Sequence, residues 1–349
     1  MKNSFKRDFF SKKIIWNKKN LINQKKFCGL KLFIEKKKIN KIIYIKQNAG
    51  IESNSQNFKI KINKNIYFLK KWSSELSHQK IDSIIKFNQE LHTLGSLVPK
   101  IIKIDGSTRF KIGENYWTLY TFINAYHFSG SNDEIRNLAF EIGKFFKILK
   151  KVNKNKKLKV NPTYYDRKSK IILKKIINNK ENLESIFGVK LGKQVRNGLK
   201  LIKNTYFSNT KKNNLPKTYQ VAHFDLHPNN ILVKNHKVVT FLDIDSCTKM
   251  NAGYALAFSC LKICKQTICK KRIKKLNKIK EQVEIFRSNV SKNYPEINIL
   301  FPHFFYFSTS EVLRRILLIF EQNLKGIKTW NKVLKIQIDH LSEANLLFK

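Results

Sequence analysis

The sequence predicts an α+β chain of two lobes, a β-rich lobe at residues 41–124 and a mainly helical lobe at residues 125–349. Between residues 42 and 123, short apolar runs alternate with polar residues at period two and are broken by Asn, Gly and Lys clusters, the pattern of strands and turns. From about residue 134, apolar residues recur at helical spacing over long stretches. Set among those helices, residues 221–246 read instead as short β-branched strands around polar loops. Hydrophobic residues make up 42% of the 349 and aromatics 12%, enough for two packed cores.

Residues 1–40 form a basic, weakly patterned extension, open to a helix, an extra strand or mobility. Residues 42–45 read as a first strand, and residues 48–57 as a polar loop holding Ser53, Asn54 and Ser55. Residues 58–62 alternate strictly, Asn63-Lys64-Asn65 turns, and residues 66–72 run back as a strand ending in Lys70, Lys71 and Trp72. Residues 77–94 have helical period and stop at Gly95, with Pro99 beyond. Strands follow at 100–104, 110–112 and 116–123, and residues 120–125 read as a hinge. Ser131 and its neighbours cap a helix over residues 134–152. Further helices are expected at 168–178, 191–205, 254–269, 273–291, 302–324 and 330–348.

Residues 221–246 carry the chemistry. His223, Asp225, Leu226 and Asn230 have the spacing H-x-D-x-x-x-x-N of a kinase catalytic loop, and a hairpin then returns to Asp243. Phosphoryl transfer explains the spacing. An acceptor hydroxyl needs a carboxylate to orient it and take its proton, the part read for Asp225. The dispersed charge of the phosphate needs Mg²⁺ on oxygen ligands, the part read for Asn230 and Asp243. Lys70 would reach the phosphates of ATP, and the loop with Ser53, Asn54 and Ser55 would cover them. A lysine of this kind wants a paired acid; Asp82 and Glu90 on the 77–94 helix are the candidates, and neither fits well. The plain alternative is an ordinary turn at His223 and Asp225 capped by Asn229 and Asn230.

Composition narrows the classes. Lys and Arg number 70 against 24 Asp and Glu, a formal charge of +46. Such an excess favours weak, non-specific binding to polyanions. The basic residues are spread along the chain without regular aromatic interleaving, which argues against a dedicated nucleic-acid role. The five cysteines form no C-x-x-C pair, and Cys260 and Cys264 read as buried small apolar residues. No apolar run approaches the roughly 20 residues of a membrane span, and the first forty residues hold no apolar leader, so a cytoplasmic location is expected.

The runs YFLKKW, GSLVPKIIKIDG, YWTLYTFINA, LAFEIGKFFKIL, HFDLHPNNILV and FLDIDS together resemble the aminoglycoside phosphotransferase and choline kinase superfamily. The resemblance implies a protein-kinase-like two-lobed fold and an ATP- and Mg²⁺-dependent phosphotransferase acting on a hydroxyl of a small molecule. It matches Asp225 to the family's catalytic base, Asn230 and Asp243 to its metal ligands, and Lys70 to its third-strand lysine. LDIDS also resembles the I-D-L-D-T of the N-acetylhexosamine 1-kinase branch, which implies a sugar or amino-sugar acceptor. In that branch Asp245 would help with the metal or the sugar, and His223 is a further supporting candidate. Phe224 follows the His where the family has a small residue or Asn, and Ala255 stands where it often has an Asp. Aminoglycoside or choline and amino-alcohol kinases are the alternatives within the family. An inactive kinase-like protein with a basic binding surface is the alternative outside it.

Overall fold

The computed structural model describes residues 18–36, 42–47, 56–152, 167–210 and 214–349, with Phe5, Ile14 and Trp16. In chain order the elements begin with α1 (Cys28–Lys36), β1 (Ile42–Gln47), β2 (Gln56–Ile62), β3 (Asn65–Lys71), α2 (His78–Thr93), β4 (Ile101–Ile102), β5 (Phe110–Ile112), β6 (Asn115–Thr121) and β7 (Tyr126–His127). Next come α3 (Asn132–Val152), α4 (Arg167–Asn178), α5 (Leu183–Phe187), α6 (Val189–Thr210), β8 (Tyr219–His223), β9 (Ile231–Lys234), β10 (Lys237–Phe241) and β11 (Cys247–Asn251). The last are α7 (Ala252–Lys271), α8 (Leu276–Ser291), α9 (Ile297–Leu300), α10 (Phe304–Leu324) and α11 (Asn331–Phe348).

These elements form two compact units. One is built on Ser11–Phe128 together with Asn229–Asp245, the other on Ser129–Pro228 and Ser246–Lys349. The division differs from the expected one in two ways: the first crossing lies at Phe128 rather than near residue 124, and the hairpin groups with the sheet rather than with the helices. Backbone pairing explains the second difference. β9 pairs with β7, Tyr126 opposite Val233, and Phe241 N–H donates to the Leu97 carbonyl at 2.7 Å.

In the first unit an antiparallel sheet runs β1-β2-β3-β6-β4, with β5 also on β6. Period-two alternation places Phe58, Ile60 and Ile62 of β2 on one face, where they are buried with Leu69 and Leu119. Leu30 and Ile34 of α1 join that core, so residues 18–36 of the basic extension are folded into this unit. Burying each such side chain is worth about 1.5–3 kcal/mol. The opposite face holds Trp72 and Tyr120 under Ile81, Ile84 and Ile85 of α2. Ser77 starts α2 by accepting from Lys80 N–H at 3.2 Å, and Gly95 at φ 78° follows its last residues. The β9–β10 hairpin turns through Asn235 and His236, both at positive φ, between the paired residues Lys234 and Lys237. That is the geometry of a two-residue hairpin whose twist matches its strands.

The second unit is helical around one small antiparallel pair, β8 and β11. Ser131 Oγ accepts from Glu134 N–H at 3.2 Å and caps the start of α3, and the buried Glu134 carboxylate reaches back to accept from Ser129 N–H at 2.8 Å. β8 is tied to its neighbours by one buried side chain. Gln220 Nε2 donates to the Phe146 carbonyl of α3, and Gln220 Oε1 accepts from the Tyr294 hydroxyl. Helix α7 is buried along most of its length, Ala255 included. Its start is held by Asn251, whose Oδ1 accepts from Gly253 N–H and Thr218 Oγ1, while its Nδ2 donates to the Pro216 carbonyl. Among the described residues no helix is long and apolar enough to cross a membrane.

Candidate active site

In the first unit, β3 sets the position of Lys70. Phe68, Lys70 and Trp72 share one face of the strand, the face covered by α2. The Lys70 ammonium stands 4.4 Å from the Trp72 ring centre and 3.3 Å from each Asp245 carboxylate oxygen. Trp72 is itself fixed by donating Nε1–H to Thr118 Oγ1 at 2.8 Å. The hairpin supplies the facing groups. Leu242 N–H donates to the Asn230 carbonyl at 2.8 Å, which closes the base of the hairpin and brings Asn230 beside the strand end that leads into Asp243. Asp243 has φ 59°, a left-handed conformation that Asp tolerates better than most residues. Burial alone would raise the Asp245 carboxyl, but the Lys70 charge and a hydrogen bond with Asp243 hold it below the usual carboxylate range. The Tyr120 hydroxyl is pushed far up by burial and by the Asp245 charge.

In the second unit, β8 ends on the fully buried His223, whose Nδ1 accepts from Asp225 N–H at 3.3 Å. Phe224 N–H donates to the Ser246 carbonyl, so the loop leaves the β8–β11 pair still under backbone restraint. The Asp225 carboxylate meets Arg315 Nη1 of α10 at 2.8 Å and His227 Nε2 at 3.5 Å. Arg315 Nη2 also donates to the Phe224 carbonyl at 3.0 Å, and its Nε to Glu311 Oε1 at 2.9 Å. Burial would push the Asp225 carboxyl up; Arg315 and His227 overcome it and hold it well below the ordinary range, so it is an anion at neutral pH. Glu311 is fully buried, and Arg314 and Arg315 together keep it ionised in the same way.

Several expectations change against this geometry. Lys70 does not pair with an acid of α2: Asp82 is taken by Arg109, whose Nη2 donates to it at 2.9 Å. Asp245, read as a support for metal or sugar, is the partner of Lys70. Ser53, Asn54 and Ser55 lie outside the described residues. Arg315 and Glu311 escaped the sequence reading altogether. Their only signal is a charged cluster, EVLRR, in an otherwise apolar helix, since a Glu on a buried face requires partners. Among the described residues no group of three or more His, Cys, Asp or Glu side chains is arranged to hold a metal. Asn230 and Asp243 are oxygen donors of the number Mg²⁺ takes from a protein when phosphates and water complete its shell.

Comparison with known proteins decides the family. The model of a phosphotransferase enzyme family, the APH family, matches residues 45–270. The chain belongs to this family. It is a small-molecule phosphotransferase, and its β-sheet first unit and helical second unit follow the kinase-like fold. A spectinomycin phosphotransferase solved with ADP and spectinomycin superposes with a TM-score of 0.58 at 15% identity, over 90% of this chain and 96% of that one. An amicoumacin kinase solved with AMP-PNP and Ca²⁺ gives 0.55 at 12% identity, over 82% and 86% of the two chains. The ethanolamine kinase of Plasmodium vivax gives 0.52 at 12% identity, over 86% and 81%. A search of curated proteins finds no match.

Proposed function

We propose that this phosphotransferase moves the γ-phosphate of ATP, with Mg²⁺, to a hydroxyl of a sugar or amino sugar. The observation that carries the reading is Asp225, kept ionised by Arg315 and His227 on the loop whose next residues lead to Asn230 and the hairpin of Asp243. In this reading the Asp225 carboxylate accepts a hydrogen bond from the acceptor hydroxyl and takes its proton. The hydroxyl oxygen forms the new bond to the γ-phosphorus, the bond from that phosphorus to the β–γ bridging oxygen breaks, and ADP leaves with the electron pair. Asn230 and Asp243 would hold Mg²⁺, which neutralises phosphate charge when bound. Lys70 would leave Asp245 for a phosphate oxygen, its single ammonium being free to exchange one anion for another.

The LDIDS stretch supports the sugar acceptor by its resemblance to the hexosamine-kinase branch. The structure's charge balance weighs against a polycationic aminoglycoside. Among the described residues, Asp225 and the Glu311 beside its arginine are both matched by arginine, so these two add little net negative charge to attract one. Spectinomycin and ethanolamine, named with the similar structures, keep antibiotic and amino-alcohol acceptors in the test.

The test is ADP release from Mg-ATP against a panel of sugars, amino sugars, amino alcohols and aminoglycosides, with Asp225→Asn run in parallel. Sugar-dependent release that the variant loses is the expected result. Release driven by amino alcohols or aminoglycosides alone would replace the acceptor, and release undiminished in the variant would sink the mechanism.

A further inference from the structure

We infer that Arg315 is a positioning residue for Asp225: its guanidinium, anchored on Glu311, fixes both the carboxylate and the backbone that carries it. The inference rests on reading Asp225 as the group that takes the acceptor's proton.

All three guanidinium nitrogens of Arg315 are committed, each in a different direction. Nη1 holds Asp225 Oδ1, Nη2 holds the carbonyl of Phe224, and Nε holds Glu311 Oε1. The contact to the Asp225 carboxylate restrains rotation of that side chain, and the contact to the preceding carbonyl restrains the peptide on which it is mounted. The guanidinium also lies 3.9 Å from the ring centre of Phe258 on α7, which closes its remaining face. Glu311 sits one turn earlier on α10, so helix geometry alone sets the anchor under the arginine. Only a planar fork satisfies this arrangement; an ammonium has the charge but not the directions.

Arg314 provides the internal control. It also binds Glu311, through Nε at 3.0 Å and Nη2 at 2.6 Å, and it lies over the Phe224 ring. These contacts share the anchor with Arg315. Removing it disturbs the buried Glu311 to a similar degree while leaving the hold on Asp225. Among the described residues, the charged groups near Asp225 in this unit include Arg315 and Glu311 from α10, Arg314 by way of Phe224, and His227 from its own loop.

The experiment uses the full chain with the acceptor from the panel, comparing Arg315→Met, Arg315→Lys and Arg314→Met. A misplaced reacting group costs about 10²-fold, so Arg315→Met is expected to lower kcat by that order with the KM for ATP little changed. Arg315→Lys should recover part of the loss, and Arg314→Met should keep most of kcat. Wild-type kcat in Arg315→Met, or equal losses in the Arg314 and Arg315 variants, would overturn the assignment. Urea unfolding of Asp225→Asn, Arg315→Met and the double variant reads the contact without any turnover. The shift in midpoint of the double variant should fall short of the sum of the single shifts; additive shifts would show that Arg315 does not hold Asp225. A panel without turnover overturns the phosphotransfer reading of Asp225, whereas additive shifts overturn the contact, so the two failures are told apart.

Discussion

Two aspartates of this chain are each held by a cation, and they are held differently. In the first unit Asp245 meets the Lys70 ammonium at 3.3 Å through both oxygens, and among the described residues the ammonium also stands over the face of Trp72. In the second unit Asp225 meets one arm of a guanidinium whose other nitrogens bind the Phe224 carbonyl and the buried Glu311. The first pair rests on one point charge on a flexible stem, which is the arrangement that the proposed exchange for a phosphate needs. The second cannot move without breaking three hydrogen bonds at once, one of them to a buried carboxylate. A phosphate-binding lysine suits the first arrangement, and a base that must keep one orientation suits the second.

The largest expected effect tests the rigid side. Asp225→Asn keeps the shape and removes the proton acceptor, so kcat should fall about 10³-fold, with ATP binding measured by calorimetry unchanged. If kcat holds, the contrast loses its catalytic meaning. Asp243→Asn comes next, on the exchangeable side. It should weaken nucleotide binding at least about tenfold in the presence of Mg²⁺ and leave metal-free binding alone, since loss of even an outer-shell partner costs about that much. Lys70→Met should raise the KM for ATP about tenfold while the KM for the acceptor stays put; a change confined to kcat would mean that Lys70 does not exchange Asp245 for a phosphate. The smallest effect sharpens the description of the first unit. Trp72→Phe removes the hydrogen bond to the buried Thr118 hydroxyl and should cost about 1–2 kcal/mol in urea unfolding.

The elements most legible in the sequence are those whose pattern is local. Strict alternation over residues 58–62 became β2, and Ser77 and Gly95 bracketed α2 as cap and stop. The hairpin also stood out, because Asn235 and His236 are turn residues between β-branched runs. β11 was not legible: Cys247–Asn251 has no strand signature of its own and is extended because it pairs with β8. The partner of Lys70 was sought on α2 and found 175 positions along the chain, at Asp245. Arg315 is 90 positions from Asp225, and nothing in the spacing of either segment reports that they meet.

Sequence alone determined the chemistry on offer: a loop with His223, Asp225 and Asn230 at fixed spacing, a hairpin returning to Asp243, and a lysine on a strand. These follow from covalent neighbourhood and from the periods of strand and helix, which any reader of the chain can count. Only the tertiary structure decided which cation holds which carboxylate, that Asp225 meets a forked guanidinium and Asp245 a single ammonium, and that the hairpin belongs with the sheet. Those outcomes depend on burial, where each ionised group must find an opposite charge wherever the fold brings one, at whatever distance along the chain.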